Sequence, residues 1–205
     1  MARSRSFNAE TVVEAAKDVF WARGYEGSAI SDLEQATGLN RSSLYGAFGS
    51  KEELFDRALG VYIEGFVSGL LGPMEDPRAR PQDVEGFFRS LSALFRADTM
   101  PARHGCLWVN SIAEFAGRDG VPAPNVRARQ FRERLHGAFG HALRGTPSTD
   151  EVSVRWVERR ARFLASATFG IWLNARIDAA QAALLCDAAI EEASSWWART
   201  GDLGH

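Results

Sequence analysis

SAISDLEQATGLNRSSLYGAFGSK, residues Ser28 to Lys51, holds two short apolar runs on either side of one glycine, and its spacing decides the fold. Ile30 and Leu33 supply the apolar side of a first short helix. Gly38 permits a tight left-handed turn, because it has no Cβ to clash there. Asn40 then caps a second short helix carrying Leu44, Tyr45 and Phe48. Two such helices crossing at a wide angle bury Ile30, Leu33, Leu39, Leu44 and Phe48 against a preceding helix, which is the pattern of a helix-turn-helix. The start of the second helix is left outward, with Arg41, Ser42 and Ser43 as hydrogen-bond donors.

A helix N-terminus offers free amides and a positive dipole to a phosphate, and short side chains beside it reach base edges. Tyr45 adds a phenolic hydroxyl. Lys51 falls in the first turn of the next helix, an unfavourable place for a cation on dipole grounds; a nearby phosphate explains it, and so does simple solvation. Charge is placed locally rather than spread. Residues 1–60 hold seven basic and nine acidic side chains, so no general basic surface exists. Residues 1–9 nonetheless carry Arg3 and Arg5 without an acid, and residues 35–51 carry Arg41 and Lys51 without one.

Outward from this stretch the chain reads as helices. The first is expected from Asn8, a capping residue, to Gly24, with Val12, Ala16, Val19 and Phe20 on one face. Ser31 with Glu34, and Ser50 with Glu53, both fit the S-x-x-E capping box. The Ser50 box opens a longer helix that buries Leu54, Phe55, Ala58, Leu59, Tyr62, Ile63 and Phe66. All seven prolines fall in four zones, at Pro73 to Pro81, Pro101, Pro122 to Pro124 and Pro147. Helices are expected between them over roughly 82–97, 103–117, 125–143, 149–175 and 179–199, with no strand. The expected fold class is all-α, with about nine helices.

Length and composition set the outer bounds. The chain has 205 residues, 45% hydrophobic and 24% charged, which suits a globular protein of one domain or two small ones. No run of 18 apolar residues occurs, and MARSRSFNAE lacks the apolar stretch of a signal peptide, so a cytoplasmic location without membrane partners is expected. Cys106 and Cys186 form neither a disulfide framework nor a CxxC pair.

FWARGYEGSAISDLEQATGLNRSSLYGAFGSKEELF resembles the N-terminal DNA-binding domain of TetR/AcrR-type regulators. Gly24-Tyr25, the Gly38 turn, Leu44-Tyr45, Phe48 and Lys51 stand at the family spacing over about 45 positions. The resemblance implies a three-helix DNA-binding domain over 1–52 and a ligand-binding and dimerisation domain over 53–205. It implies a turn and recognition helix over Thr37 to Phe48 and a backbone-contacting lysine at Lys51. DNA contacts are then expected from Arg3, Arg5, Thr37, Asn40, Arg41, Ser42, Ser43, Tyr45 and Lys51. The implied mechanism is a homodimer whose heads lie about 34 to 36 Å apart on a palindromic duplex and which a small inducer releases. One departure stands out. Alanine is usual four residues before the turn glycine, but Glu34 stands there, and a charged side chain must escape to the edge, so the helix crossing or register is expected to differ.

In the body, Cys106 follows His104 and Arg103 near a helix start. It is either a thiol with lowered pKa that senses electrophiles or oxidants, or a small buried packing residue. Phe87, Phe88, Met100, His104, Trp108, Phe115, Phe131, Phe169 and Trp172 are candidate walls for an apolar inducer; ordinary core packing is the other reading of each aromatic. Val152, Trp156, Phe163, Ala167 and Gly170 fall on one face of the penultimate helix, and Leu185, Ala189, Ala193 and Trp196 on the last. Two such helices from each subunit suit a four-helix dimer interface, or else an intramolecular core.

An enzyme is the rival class. No GxSxG, P-loop or GxGxxG occurs, and His104, His136, His141 and His205 have no metal-ligand spacing, so no catalytic, metal or cofactor site is expected. A helical adaptor that turns the motif against protein is the other alternative.

Overall fold

The computed structural model describes residues 7–115, 122–145 and 151–201, without the side chains of 113, 122–128, 151–153 and 197–201. Arg3, Arg5 and the side chain of Val152 lie outside the described residues. The fold is all-α: every regular element among the described residues is helical. Two compact units are formed, Met1–Val67 and Ser68–His205.

The first unit holds α1 (Ala9–Gly27), α2 (Ile30–Thr37), α3 (Arg41–Phe48), α4 (Lys51–Tyr62) and a π-helical turn (Ile63–Val67). The compact unit therefore runs past the 52/53 boundary drawn from the sequence. The reason is that α4 supplies the floor of the head: Leu54, Phe55, Ala58, Leu59 and Tyr62 are all buried. Phe55 meets Phe20 of α1 edge to face at 5.0 Å, and Tyr62 meets Trp21 at 4.8 Å. Such pairs add about 0.5–1.5 kcal/mol each beyond the area they bury. Leu33, Leu44 and Phe48 are buried as expected, whereas Ile30 and Leu39 remain half-exposed.

Local capping follows the sequence with two exceptions. Asn8 accepts the amide of Glu10 and Ser50 accepts that of Glu53, at 2.9 and 3.1 Å. Gly24 has φ +75°, but it kinks α1 instead of ending it, and the helix runs on to Gly27. The box expected at Ser31 and Glu34 is not formed. Ser31 lies inside α2, and Asp32 reaches back to the amide of Ala29 at 3.0 Å. Asp32 also pairs with Arg23 at 2.6 Å, tying α2 to α1.

The second unit holds α5 (Ser68–Glu75), α6 (Pro81–Arg96), α7 (Met100–His104), α8 (Leu107–Phe115), α9 (Pro122–Arg144), α10 (Glu151–Ala175) and α11 (Ala179–Gly201). Three of the prolines expected to mark loops start helices instead. Pro81 and Pro101 occupy the first turns of α6 and α7, and Pro122 begins α9, where an amide would have no helical acceptor anyway. Pro73 lies within α5, so that zone is helical up to Glu75. The single helix expected over 103–117 is broken into α7 and α8 by Gly105, whose φ is +69°.

Helix α6 is the centre of this unit, with Val84, Phe87, Phe88, Leu91 and Phe95 buried. Its partner is α11, and the seam between them is polar. Glu85 accepts from Arg89 at 2.7 Å and from Ser194 at 2.8 Å; Asp187 accepts from Arg96 at 2.5 Å and Ser92 at 3.0 Å. Arg96 and Ser92 hold the Asp187 carboxyl below its usual range. On the other side Arg134 of α9 forks onto Glu75 of α5 at 2.7 and 2.8 Å and reaches Ser68 at 3.0 Å.

Candidate nucleic-acid interface

Helices α2 and α3 meet at Gly38, with φ +70°. Thr37 is spent on this turn: its hydroxyl donates to the carbonyl of Leu33 at 2.6 Å and accepts the amide of Leu39 at 3.3 Å. Asn40 is likewise a capping residue. Its Oδ1 accepts the Ser43 amide at 2.9 Å and the Ser42 hydroxyl at 2.8 Å. Arg41 and Ser42 are exposed, while Ser43 and Tyr45 are half-buried. The Arg41 guanidinium lies 5.4 Å from the Tyr45 ring centroid, so the first turn of α3 presents a cation, two serine hydroxyls and a phenol on one end.

Glu34 behaves otherwise than its type suggests. Its Oε1 accepts the backbone amide of Arg41 at 2.6 Å, across the turn and seven residues away. The carboxylate has found the edge expected of it, and there it satisfies the first orphan amide of α3. The window 35–51 is free of acid along the chain, but in space it contains Glu34.

Lys51 opens α4 and is half-buried, with its ammonium 4.5 Å from the centroid of Tyr25. A π face attracts a cation, which offsets the unfavourable dipole at this position. Tyr25 stands edge-on to Phe55 at 5.2 Å and so belongs to the core of the head. Neither partner, Tyr25 for Lys51 nor Arg41 for Glu34, was assigned from the sequence. The Gly24-Tyr25 pair carried the signal for the first and the misfit of Glu34 that for the second.

The body residues divide. Phe87, Phe88 and Phe139 form one aromatic cluster, with centroids 5.1 to 5.8 Å apart. Trp108 stacks on Phe131 at 4.2 Å, Phe131 meets Phe169 at 5.6 Å, and Trp172 meets Phe95 at 5.1 Å. Phe115 is buried; Met100, His104 and Phe169 are half-buried. Cys106 is 1% exposed, directly ahead of α8, with its carbonyl accepting the Asn110 amide at 2.9 Å. Of its expected cationic neighbours, Arg103 is engaged by Asp98 at 2.6 Å. Burial, with Arg103 and Arg176 nearby, pulls the His104 pKa below the usual imidazole range.

On the last two helices Phe163 is 56% exposed, and Leu173, Leu184 and Leu185 are exposed as well, with Ile177 exposed in the turn between them. Trp156, Ala167, Gly170 and Ala189 are half-buried. Ala193 and Trp196 correct the expected dimer face. Both are buried within the protomer, because the side of α11 that carries them faces inward with Cys186. Trp196 donates to Glu192 at 2.8 Å and lies 6.3 Å from Trp156, with the Arg160 guanidinium 4.0 Å from the Trp156 ring. No helix among the described residues is long and apolar enough to cross a membrane, and none of them forms a cluster suited to a metal ion.

Residues 12–58 match the family described as bacterial regulatory proteins, tetR family. Over most of its length the chain is similar to the uncharacterized HTH-type transcriptional regulator YezE of Bacillus subtilis. The two are 28% identical over 87% of this chain and 91% of the relative. The HTH-type transcriptional repressor ComR of Escherichia coli is 27% identical over 67% of this chain and 65% of its own. Among solved structures, a cysteine-substituted CifR is similar, a TetR family transcriptional regulator complexed with 26-bp double-strand operator DNA. Its TM-score is 0.74 at 26% identity, covering 93% of this chain and 98% of that one. With a head that matches the family model over residues 12–58 and a fold shared over 93% of the chain with a solved regulator, this chain is similar to the TetR family of bacterial regulatory proteins.

Proposed function

We propose that this protein is a homodimeric transcriptional repressor that binds a palindromic operator through α3 and releases it when a small, largely apolar inducer, or modification of Cys106, acts on the body. The observation that carries the DNA reading is the start of α3, where exposed Arg41 and Ser42 stand with half-buried Ser43 and Tyr45 and the Arg41 guanidinium lies over the Tyr45 ring. Phosphate contacts from Arg41, Lys51, Arg3 and Arg5 position the head, and the hydroxyls reach base edges. Exposed apolar residues on α10 and α11 supply the dimer contact, and two-fold symmetry matches a palindromic site.

The inducer acts by favouring a body state whose dimer does not fit the operator, and the ratio of its affinities for the two states sets the loss of DNA binding. For Cys106, burial at 1% exposure means that modification needs local opening of the segment between α7 and α8. Titration against duplex from the protein's own upstream region tests the whole reading. Binding that falls steeply with salt, and exceeds that to a scrambled duplex, supports it. Binding to neither duplex at the lowest salt overturns it in favour of a helical adaptor.

A further inference from the structure

We propose that Glu34 sets the DNA affinity of the head by holding a negative charge against the N-terminus of α3; the inference rests on the DNA-binding reading above. Of the first three amides of α3, Arg41 is taken by Glu34 and Ser43 by Asn40. The two acceptors are not equivalent. Asn40 is neutral, whereas Glu34 brings a full charge to the helix end that the positive dipole would otherwise offer to phosphate. Helix α3, RSSLYGAF, contains one cation and no acid, so Glu34 cancels the only formal charge on it.

Two consequences follow from one 2.6 Å bond. The clamp fixes the start of α3 on α2 and holds the Arg41 side chain at its station over Tyr45. The charge repels phosphate and thereby lowers binding to any duplex, whatever its sequence, so that discrimination falls to the base contacts of Ser42, Ser43 and Tyr45. Glu34 is a positioning residue, since it acts through Arg41 and the α3 amides.

Full-length wild type, Glu34→Gln and Glu34→Ala are titrated against the upstream duplex and a scrambled duplex from about 0.1 M to about 1 M salt, after a thermal melt confirms folding. Glutamine keeps an acceptor for the Arg41 amide and removes the charge. Glu34→Gln should bind both duplexes about three- to tenfold tighter at the lowest salt. The gain should close toward onefold near 1 M, where the screening length falls to about 3 Å. A merely structural role gives weaker binding with no such salt dependence. Amide hydrogen exchange at Arg41 in the free protein reads the clamp without DNA: slow in wild type and Glu34→Gln, at least about tenfold faster in Glu34→Ala. Equal or weaker binding by a folded Glu34→Gln at low salt overturns the charge effect, and unchanged Arg41 exchange in Glu34→Ala overturns the clamp. Wild type that binds neither duplex overturns the DNA-binding reading itself, and this inference with it.

Discussion

The ammonium of Lys51 lies 4.5 Å from the ring centroid of Tyr25, so the cation that opens α4 is placed by the aromatic core of the head. Tyr25 is itself fixed by Phe55 at 5.2 Å and Phe20 at 6.3 Å. A cation–π contact of this kind is worth about 0.5–1 kcal/mol at a partly exposed site. Tyr25→Leu is therefore expected to weaken duplex binding about two- to fivefold, with Tyr25→Phe close to wild type because the π face is kept. Fluorescence anisotropy with labelled duplex measures both. Wild-type affinity in Tyr25→Leu would show that Lys51 reaches its place without the ring.

The head was legible in the sequence because its elements are local: a cap, an apolar pair and a turn glycine lie within a few residues of one another. Gly38, Asn40 and Ser50 do what their residue types dictate at those spacings. What escaped was contact across elements. Glu34 reaches Arg41 over a turn, and Lys51 meets Tyr25 from another helix, neither of which a periodicity can report. In the body, period alone does not tell which sides of α11 pack within the protomer: Asp187 and Ser194 bind Ser92 and Glu85 of α6, whereas Trp196 meets Trp156 and Phe163 of α10. Gly105 shows the same limit. Its Cβ would approach the Trp172 carbonyl to 3.2 Å and Arg176 Cγ to 2.8 Å, a break made by a distant helix rather than by its own neighbours.

Phe131 separates core from pocket in the body. It stacks on Trp108 at 4.2 Å and meets Phe169 at 5.6 Å, and it is buried. As a core residue it should cost about 3–5 kcal/mol on truncation to alanine, the usual range for a large buried ring. Urea denaturation of Phe131→Ala supplies the number. A loss below about 1 kcal/mol would mark the position as the wall of a space that tolerates an empty seat, and would favour it as part of an inducer site.

Burial pushes the Cys186 thiol up to about 12, with Asp187 adding to the shift. Its unfolded reference is 9.0, so below pH 9 the thiol is protonated in both states and its contribution to stability is fully present. Above that the unfolded chain ionises first, and stability declines by up to about 1.4 kcal/mol per pH unit until the folded thiol titrates as well. Thermal melts of wild type and Cys186→Ala between pH 8 and about pH 11 should diverge, the wild type falling more steeply. Parallel curves would mean that the thiol is not shielded. The same shielding predicts no alkylation of Cys186 in native protein at neutral pH, where the thiolate is the reacting form.

Exposed apolar side chains gather on α10, α11 and the turn between them: Phe163, Leu173, Ile177 at 85% exposure, Leu184 and Leu185. Phe163 and half-buried Gly170 stand seven residues apart and so share one side of α10, and Ile177 follows in the turn beyond its end. On α11, Leu184 and Leu185 lie away from Cys186 and Ala193, which are buried within the protomer. A lone protomer would leave this stripe in water at about 25 cal/mol per Å², whereas a two-fold partner covers it with a copy of itself. Phe163→Glu with Leu184→Glu places four like charges in that contact, two from each subunit. The double variant is expected to run as a folded monomer by light scattering at micromolar concentration. Since each head alone forgoes the gain of tethering to its twin, operator affinity should fall by roughly 10²-fold or more. A dimer that survives both substitutions would move the interface off these two helices, and a monomeric variant that keeps wild-type affinity would break the link between pairing and DNA binding.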